Sequence, residues 1–213
     1  MNLDNAKHLT INGKNAVRLK IEGSVVWKGL PVGHKRLDYI ETTGTQYIDT
    51  GFTPNQDSRI VCEIMWMGGM NGFGARSTVA SRNFSARVIN DYWQLGYGSD
   101  GGVVTGTIKA KQEWTTVEIN KNSLYVGGEF SVSREYDADF IAPYPIALGA
   151  IRAGSLYYGN GRYRACQIYD NGVLVRDLIP CKNASDEIGM YDTLNAAFYG
   201  NAGTGTFVAG PEV

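Results

Sequence analysis

The sequence has few residues of the kinds that form covalent bridges or bind metals. Its 213 residues include three cysteines and two histidines. Cys62, Cys166 and Cys181 are an odd set without the paired spacing of a zinc site, so we expect neither a disulfide framework nor a structural zinc ion. Cys62 and Cys166 lie in apolar, strand-like runs, which indicates small buried side chains. His8 and His34 have no nucleophile motif beside them, which argues against a catalytic triad.

Long apolar runs are also absent. No stretch of about 18 consecutive apolar residues occurs, so we expect no insertion into a membrane. Residues 1–6 lack the apolar centre of a secretory signal peptide. We therefore expect a protein that acts inside a cell, or that leaves it by lysis or through a dedicated machine.

Charged residues are scarce, at 19% of the chain, and unevenly distributed. Residues 1–36 carry seven basic and two acidic residues, a net charge of +5, and the other 177 carry 13 basic and 19 acidic residues, a net charge of -6. A basic arm on an acidic body suits docking to an acidic neighbour, although its lysines could simply line the solvent face of a small hairpin. The arm has no dense Arg/Lys run with interleaved aromatics, so we predict no nucleic-acid partner.

Glycine, tyrosine and short alternating segments are plentiful. Residues 59–66 alternate, with Ile60, Cys62, Ile64 and Trp66 on one face, as a sandwich strand does. Asp170-Asn171-Gly172 predicts a tight hairpin, and residues 68–74 predict a long glycine-rich loop. Further strands are predicted at residues 78–80, 85–89, 92–97, 103–108, 113–119, 123–126, 146–148, 162–169 and 173–179. Short strands with turns every 8–12 residues predict an all-β fold, a two-sheet antiparallel jelly-roll sandwich.

A small β module precedes this sandwich. Asn12-Gly13 and Glu22-Gly23 predict tight turns between three strands, at residues 9–11, 17–21 and 25–27. Three strands with one apolar face are marginally stable alone, so the module should pack on another surface. We divide the chain into a small basic β module for anchoring or docking (1–30), a linker (31–35) and the jelly roll (36–213).

Three segments carry a resemblance to a known family. Residues 37–51, LDYIETTGTQYIDTG, contain a short internal repeat, YIET and then YIDT. Together with residues 166–180 and 188–205, they resemble laminin-G-like (concanavalin A-like) jelly-roll domains found in bacteriophage virion proteins and surface proteins of gut bacteria. The resemblance covers roughly residues 30–213, and residues 8–28 resemble an N-terminal piece of phage-encoded proteins.

The resemblance implies binding or scaffolding rather than catalysis. The expected protein is a non-enzymatic, virion-associated tail, fibre or capsid decoration protein whose jelly roll serves adhesion, with a cell-surface glycan as the candidate ligand. Its N-terminal module would bind other virion subunits, and homo-oligomers are common among such adhesins. The expected location is the virion, released by lysis, or otherwise the bacterial cell surface or extracellular space. The alternative functions are a carbohydrate-binding module of a bacterial surface protein and, less favoured, a glycoside hydrolase.

Two segments, residues 90–97 and 156–163, mix aromatic and polar side chains as glycan sites do. A pyranose has an apolar CH face that packs on an aromatic ring, and hydroxyls that bond to Asp, Asn and Arg. Because alternate strand residues share a face and one face must form the core, about half of these rings should be buried. The candidate ligand-binding residues are Asp91, Trp93, Tyr97, Tyr157, Tyr158, Asn160 and Arg162.

Catalysis has one candidate segment, residues 135–139. On a strand, Glu135, Asp137 and Asp139 would share a face at spacings of about 7 Å, and glycosidases use paired carboxyl groups. Glycosidases of this fold carry Glu at the last position, where this chain has Asp139, and residues 131–134 are too polar for the floor of a cleft. We therefore predict no catalytic residue.

Calcium is the one cofactor left open. Jelly rolls of this type often hold a structural calcium ion at a rim, bound by Asp, Asn and loop carbonyls. The residues of this type near predicted turns are Asp91, Asp100, Asp170 and Asn171. They form no ordered, oxygen-rich loop, so we predict no cofactor and assign no metal ligand.

Overall fold

The fold was analysed in a computed structural model. The structure describes residues 9–213 except residues 12–13, 17, 22–23, 70, 78–81, 99–101 and 154, and describes residues 9–28, 71, 152–153 and 155 by their backbone alone. The strand predicted at residues 78–80 and the calcium candidate Asp100 lie outside the described residues.

The N-terminal segment contains two hairpins. Strand β1 (Leu9–Ile11) pairs with β2 (Lys14–Ala16), and β3 (Arg18–Ile21) pairs with β4 (Ser24–Lys28). The turns predicted at Asn12-Gly13 and Glu22-Gly23 lie outside the described residues. The predicted count of three strands is wrong, because β2 is a fourth. Its sequence, Lys-Asn-Ala, has no apolar alternation to reveal a strand.

In its described residues the body contains strands and the loops that connect them, and no helix there is long and apolar enough to cross a membrane. Its strands are β5 (Lys35–Arg36), β6 (Ile40–Thr43), β7 (Ile48–Asp49), β8 (Arg59–Gly69), β9 (Asn71–Arg76), β10 (Asn83–Ile89), β11 (Tyr92–Gly98), β12 (Val103–Lys109), β13 (Trp114–Asn120), β14 (Ser123–Val126), β15 (Glu129–Ser133), β16 (Ala147–Leu148), β17 (Ala150–Ala153), β18 (Ser155–Asp170), β19 (Val173–Lys182), β20 (Ile188–Asp192), β21 (Ala197–Tyr199) and β22 (Val208–Ala209).

These strands form two sheets that meet along β18. One sheet runs β12–β11–β10–β9 with β16 and β17 beside β9, and the other runs β15–β14–β13–β8–β18–β19–β20–β21. The first residues of the 16-residue β18 pair with β17 and the later ones with β8, which curves the sheets like a barrel around one core. The predicted all-β sandwich is confirmed, with one parallel pair, β9 and β17, among antiparallel neighbours.

The core lies between the two sheets. From β8, Ile60, Cys62 and Ile64 enter it with at most 1% of their surface exposed, and Trp66 packs against the same cluster while only partly buried. The alternation predicted for this strand is thus confirmed. From the opposite sheet, Phe84 and Trp93 enter the same cluster, both fully buried. Burial of apolar surface of this kind stabilises the fold by about 25 cal/mol for each Å² removed from water.

The described residues of the glycine-rich run at 68–74 do not form a loop. Strand β8 continues to Gly69 and β9 begins at Asn71, so the described members of the run lie in strands. A Cβ atom on Gly74 would overlap the Cβ atom of Ser85 on the neighbouring strand, and one on Gly72 would lie 3.0 Å from the Trp93 ring. At positions 72 and 74 glycine occurs because a buried ring and a strand approach the backbone closely, which composition alone cannot distinguish from a turn.

The body begins within the segment predicted as a linker. The ring of His34 packs edge-on against Tyr191 and Phe198, with centroids 5.7 and 6.2 Å away. Lys35 and Arg36 then pair with β19. The packed body therefore extends at least from His34.

We expect Gly74→Ala to lower the free energy of unfolding by about 3 kcal/mol, because the added methyl would clash with backbone and because φ is +148°. Gly161→Ala is the matched control, since it also adds a methyl to a buried strand glycine but meets atoms no closer than 3.4 Å. Its cost should stay within about 1 kcal/mol. Urea denaturation of both variants tests this, and equal costs would show that close packing at Gly74 is not the reason for glycine.

Candidate ligand-binding surface

Two arginines extend outward from β18, on the face opposite the core. Tyr163 lies between them and is 1% exposed inside the core, so the period-2 alternation directs Arg162 and Arg164 to the other side of the sheet. Their neighbours come from β6, from β8, from β13 and from the segment before β6. We call this set the arginine–aromatic surface: Asp38, Tyr39, Glu41, Glu63, Trp114, Arg162 and Arg164.

Arg162 is held by a carboxylate and a ring. Its partner across the β6–β18 pair is Glu41, and its Nε donates a hydrogen bond to Glu41 Oε2 over 2.6 Å. Its guanidinium lies 4.7 Å from the centroid of the Tyr39 ring. The hydrogen bond with Glu41 raises the pKa of Arg162 above its usual value. Arg162 is therefore a fixed cation with both an acceptor and an aromatic face beside it.

The two terminal nitrogens of the Arg164 guanidinium contact two different carboxylates. Nη2 lies 2.9 Å from Asp38 Oδ2, and Nη1 lies 3.0 Å from Glu63 Oε1. Its Cζ lies 3.9 Å from the centroid of the Trp114 ring. The hydrogen bond to Asp38, supported by that to Glu63, raises the pKa of Arg164. A planar guanidinium suits this arrangement, whereas a lysine ammonium would lose the two-ended contact and the stacking.

The two rings of the surface are neighbours. The centroids of Tyr39 and Trp114 are 5.9 Å apart and the ring planes meet at 51°. The C-terminal segment holds Tyr39 in place, because Gly210 N donates to the Tyr39 carbonyl and a Cβ on Gly210 would lie 2.8 Å from the Tyr39 ring. Side chains fixed in this way lose less conformational entropy when a ligand binds.

The surface carries little net charge. Two arginines face three carboxylates, and the five charged side chains are 19% to 39% exposed. Each charge is already paired, so a strongly charged ligand would have to displace an existing ion pair. Paired guanidinium and carboxylate groups keep spare donors and acceptors, and those suit a neutral ligand rich in hydroxyls.

Trp93 and Tyr97, two of the predicted ligand-binding residues, lie in the core. Trp93 is fully buried and Tyr97 is 4% exposed, with its hydroxyl donating to the Gln56 carbonyl. Neither ring presents a face to solvent, so the structure removes both from the candidate set. Alternation showed correctly that they share a face with Leu95, and that face is the buried one.

Asp91 has a turn conformation that accounts for its position. It follows Asn90 in the two-residue connection between the paired residues Ile89 and Tyr92. Asn90 and Asp91 have φ values of +51° and +67°, as a type I′ hairpin requires, and Asn and Asp tolerate this region well. The predicted hairpin at residues 170–173 is confirmed and has the same geometry, with φ of +47° at Asn171.

The other predicted residues lie along β18. Tyr157 is 43% exposed, whereas Tyr158 packs at 6.3 Å on the Tyr47 ring in a small secondary cluster. Asn160 is exposed, and alternation places it on the same strand face as Arg162. Arg162 is thus the one predicted residue inside the arginine–aromatic surface, and Asn160 lies nearest to it along the strand.

Sequence reasoning missed most of the surface because its residues come from four distant segments. The alternation of Arg162, Tyr163 and Arg164 is a local pattern that could have indicated two arginines on one outward face, but it was not used. Tyr39 lies in the repeat that carried the family resemblance, where it suggested a strand and not a ligand contact.

The segment proposed for catalysis is not a strand. Residues 134–140 have no strand pairing, and Glu135, Asp137 and Asp139 are exposed. The expectation that these carboxylates share one strand face is therefore wrong, because the strand before them, β15, ends at Ser133. In the parts of the chain that the structure describes, no cluster of three or more His, Cys, Asp and Glu side chains could hold a metal ion.

An open cavity of about 490 Å³ lies beside residues 55–57 and 139–141. Its aromatic member, Phe140, is 4% exposed and so offers no free ring face. Asp57 is already paired with Lys121 at 2.9 Å. The cavity therefore offers a sugar no free ring face, and its Asp57 carboxylate is already paired. The arginine–aromatic surface is the better candidate site for a sugar.

No protein-family model matches the sequence, and no curated protein matches it significantly.

The hydroxyl of Tyr97 gives a pH prediction. Burial raises the pKa of Tyr97 from its usual value of 10.0 to about 12. Between these values the unfolded chain loses the phenol proton while the folded chain keeps it, so the free energy of unfolding falls as the pH rises from about 10 to 12.

We expect Tyr97→Phe to make this fall shallower. At pH 7 it should cost roughly 1 kcal/mol, because the hydrogen bond to Gln56 is lost. Some fall should remain, since burial also raises the pKa of Cys181 to about 12. Urea denaturation from pH 8 upward measures the slope, and parallel curves for the variant and the parent protein would contradict the assignment.

Proposed function

We propose that this chain is a non-enzymatic adhesion or decoration protein of a bacteriophage particle and that its sandwich binds a neutral glycan through the arginine–aromatic surface. The observation that carries the glycan assignment is the pair of neighbouring rings, Tyr39 and Trp114, each stacked by an ion-paired arginine on the outer face of a sheet.

The apolar face and the hydroxyls of a sugar each have a matching group on this surface. The apolar CH face of a pyranose packs on an indole or phenol ring, which is large, rigid and partly polar. Guanidinium groups donate to ring hydroxyls, and carboxylates accept from them. Glu41 and Arg162 are 2.6 Å apart, so one sugar hydroxyl could reach both.

The virion assignment is supported by the sequence. The segments at residues 37–51, 166–180 and 188–205 resemble phage jelly-roll domains, and the basic segment at residues 1–36 suits docking to an acidic virion subunit. The virion, released by lysis, is the proposed location. Assembly as a homo-oligomer would multiply a weak glycan contact into strong attachment.

A carbohydrate-binding module of a bacterial surface protein is the second candidate. It would use the same rings and ion pairs, so the arginine–aromatic surface supports both functions equally. The two differ in the role of the N-terminal segment, which docks on virion subunits only in the first. A glycoside hydrolase is less favoured, because the three carboxylates at residues 135–139 are exposed and lie outside any strand.

We expect the full-length protein to bind one class of neutral glycan on a bacterial and host glycan array. Trp114→Ala and Tyr39→Ala should each weaken this binding at least tenfold, about 1.4 kcal/mol, because each removes a stacking ring. Titration calorimetry with the best array glycan measures the loss. The array is repeated with a chelator, and loss of binding there would reveal a calcium ion at the site.

Arg59→Ala is the matched control for these variants. Arg59 also lies between a carboxylate and a ring, with Nε 2.7 Å from Glu118 and its guanidinium 4.8 Å from the Tyr169 centroid, but it lies at the other end of β8. It should leave the affinity unchanged. Equal losses at Arg59 and Trp114, or a loss at Tyr157→Ala and none at Trp114→Ala, would place the ligand elsewhere.

Removal of residues 1–30 tests the anchor. We expect the truncated chain to keep its β-sheet circular dichroism and its glycan affinity, because the described body and the arginine–aromatic surface lie beyond residue 30. Its incorporation into phage particles should be lost. Incorporation at the level of the full chain would contradict the virion anchor and favour the bacterial surface module.

A further inference from the structure

Two of the three cysteines face each other in the core. Cys62 on β8 is paired in register with Cys166 on β18, and both side chains are fully buried. Their sulfur atoms are 2.9 Å apart, and both are free thiols. The odd number of cysteines gave no sign of this pair, because 104 positions separate the two residues in sequence.

Strand geometry places this pair within reach of a bond. Residues directly opposite in an antiparallel pair have Cα atoms about 4.5 to 5.5 Å apart. A disulfide spans Cα separations of about 4.4 to 6.8 Å, so it can form here without movement of the backbone. Cys181 cannot compete in register, because it lies on β19 opposite Gly189 and Arg36.

We propose that Cys62 and Cys166 close to a cross-strand disulfide when the folding chain meets an oxidant of the small-molecule disulfide class, and that Cys181 stays a free thiol. The first thiolate attacks the oxidant disulfide, forms a mixed disulfide and releases one small thiol. The second thiolate then attacks the protein sulfur of that mixed disulfide and releases the other small thiol. The two cysteines lose two electrons and two protons, and the oxidant takes up both as it is reduced to two thiols.

Burial determines when this reaction can occur. Burial raises the pKa of Cys62 well above its usual value, which disfavours the thiolate in the folded protein. Neither sulfur is accessible from solvent in the finished core. Oxidation should therefore be fast during folding and slow afterwards, and the bond, once formed, should be shielded from reductants.

The bond would join the two strands that support the arginine–aromatic surface. Glu63 and Arg164 project from β8 and β18 beside the two cysteines, toward the other face of the sheet. A link across a loop of this length restricts the unfolded chain strongly. The inference stands on the cysteine geometry and is independent of the proposed function.

The experiment refolds the full-length protein from guanidinium chloride in glutathione buffers that run from fully reduced to fully oxidised. Each sample is denatured, alkylated with iodoacetamide and weighed by mass spectrometry. We expect the reduced sample to carry three alkyl groups, and the oxidised sample to carry one alkyl group, on Cys181, and a Cys62–Cys166 crosslinked peptide. The melting temperature of the oxidised protein should be about 10 °C higher.

Three alkyl groups at every glutathione ratio would overturn the proposal, as would a crosslink that includes Cys181. Cys181→Ala is the matched control, and it should keep both the crosslink and the rise in melting temperature. Cys166→Ala should abolish both while circular dichroism confirms the fold. If that variant does not fold, the alkyl count and crosslink map of the unmutated chain decide the question alone.

Discussion

The antiparallel pairing of β8 with β18 is the interaction on which the rest of the structure depends. Ten residues of β8 have partners on β18, between Arg59 and Gly69. The inward face of β8 supplies Ile60, Cys62 and Ile64 to the core, and the outward face of β8 supplies Glu63 to the arginine–aromatic surface. Because successive side chains in a strand point to opposite faces, the register of the β8–β18 pairing determines which side chains enter the core and which lie on the outer face.

A bulge in β18 reconciles the two faces. Tyr163 pairs with Ile64 and Ala165 pairs with Glu63, so Arg164 is an extra residue in the ladder. If β18 alternated regularly after Tyr163, without a bulge at Arg164, Cys166 would face away from the core. The bulge therefore keeps Cys166 inside while it places Arg164 where Asp38 and Glu63 can both reach it.

The sequence predicted correctly those features that depend on residues close together in the chain. The hairpin after Asp170 and the alternation of residues 59–66 were correct, because turn residues and period-two patterns act over a few positions. Alternation showed that Trp93 and Tyr97 share a face, but which face is buried depends on the opposite sheet. The glycines at 72 and 74 were misread because the ring and strand that require them are distant in sequence. The arginine–aromatic surface was missed for the same reason, since β6, β8, β13 and β18 each contribute to it.

The stability of the fold does not account for the arginine–aromatic surface. Partly exposed ion pairs such as those of Arg162 and Arg164 contribute between about 0 and 1 kcal/mol each. Even so, the C-terminal segment at Gly210 packs against Tyr39 and fixes its ring beside Trp114. The outcome is a set of rings, donors and acceptors held in fixed positions on an outward face. Such pre-organisation reduces the entropy lost when a ligand binds there, which supports the proposal that this face binds a glycan.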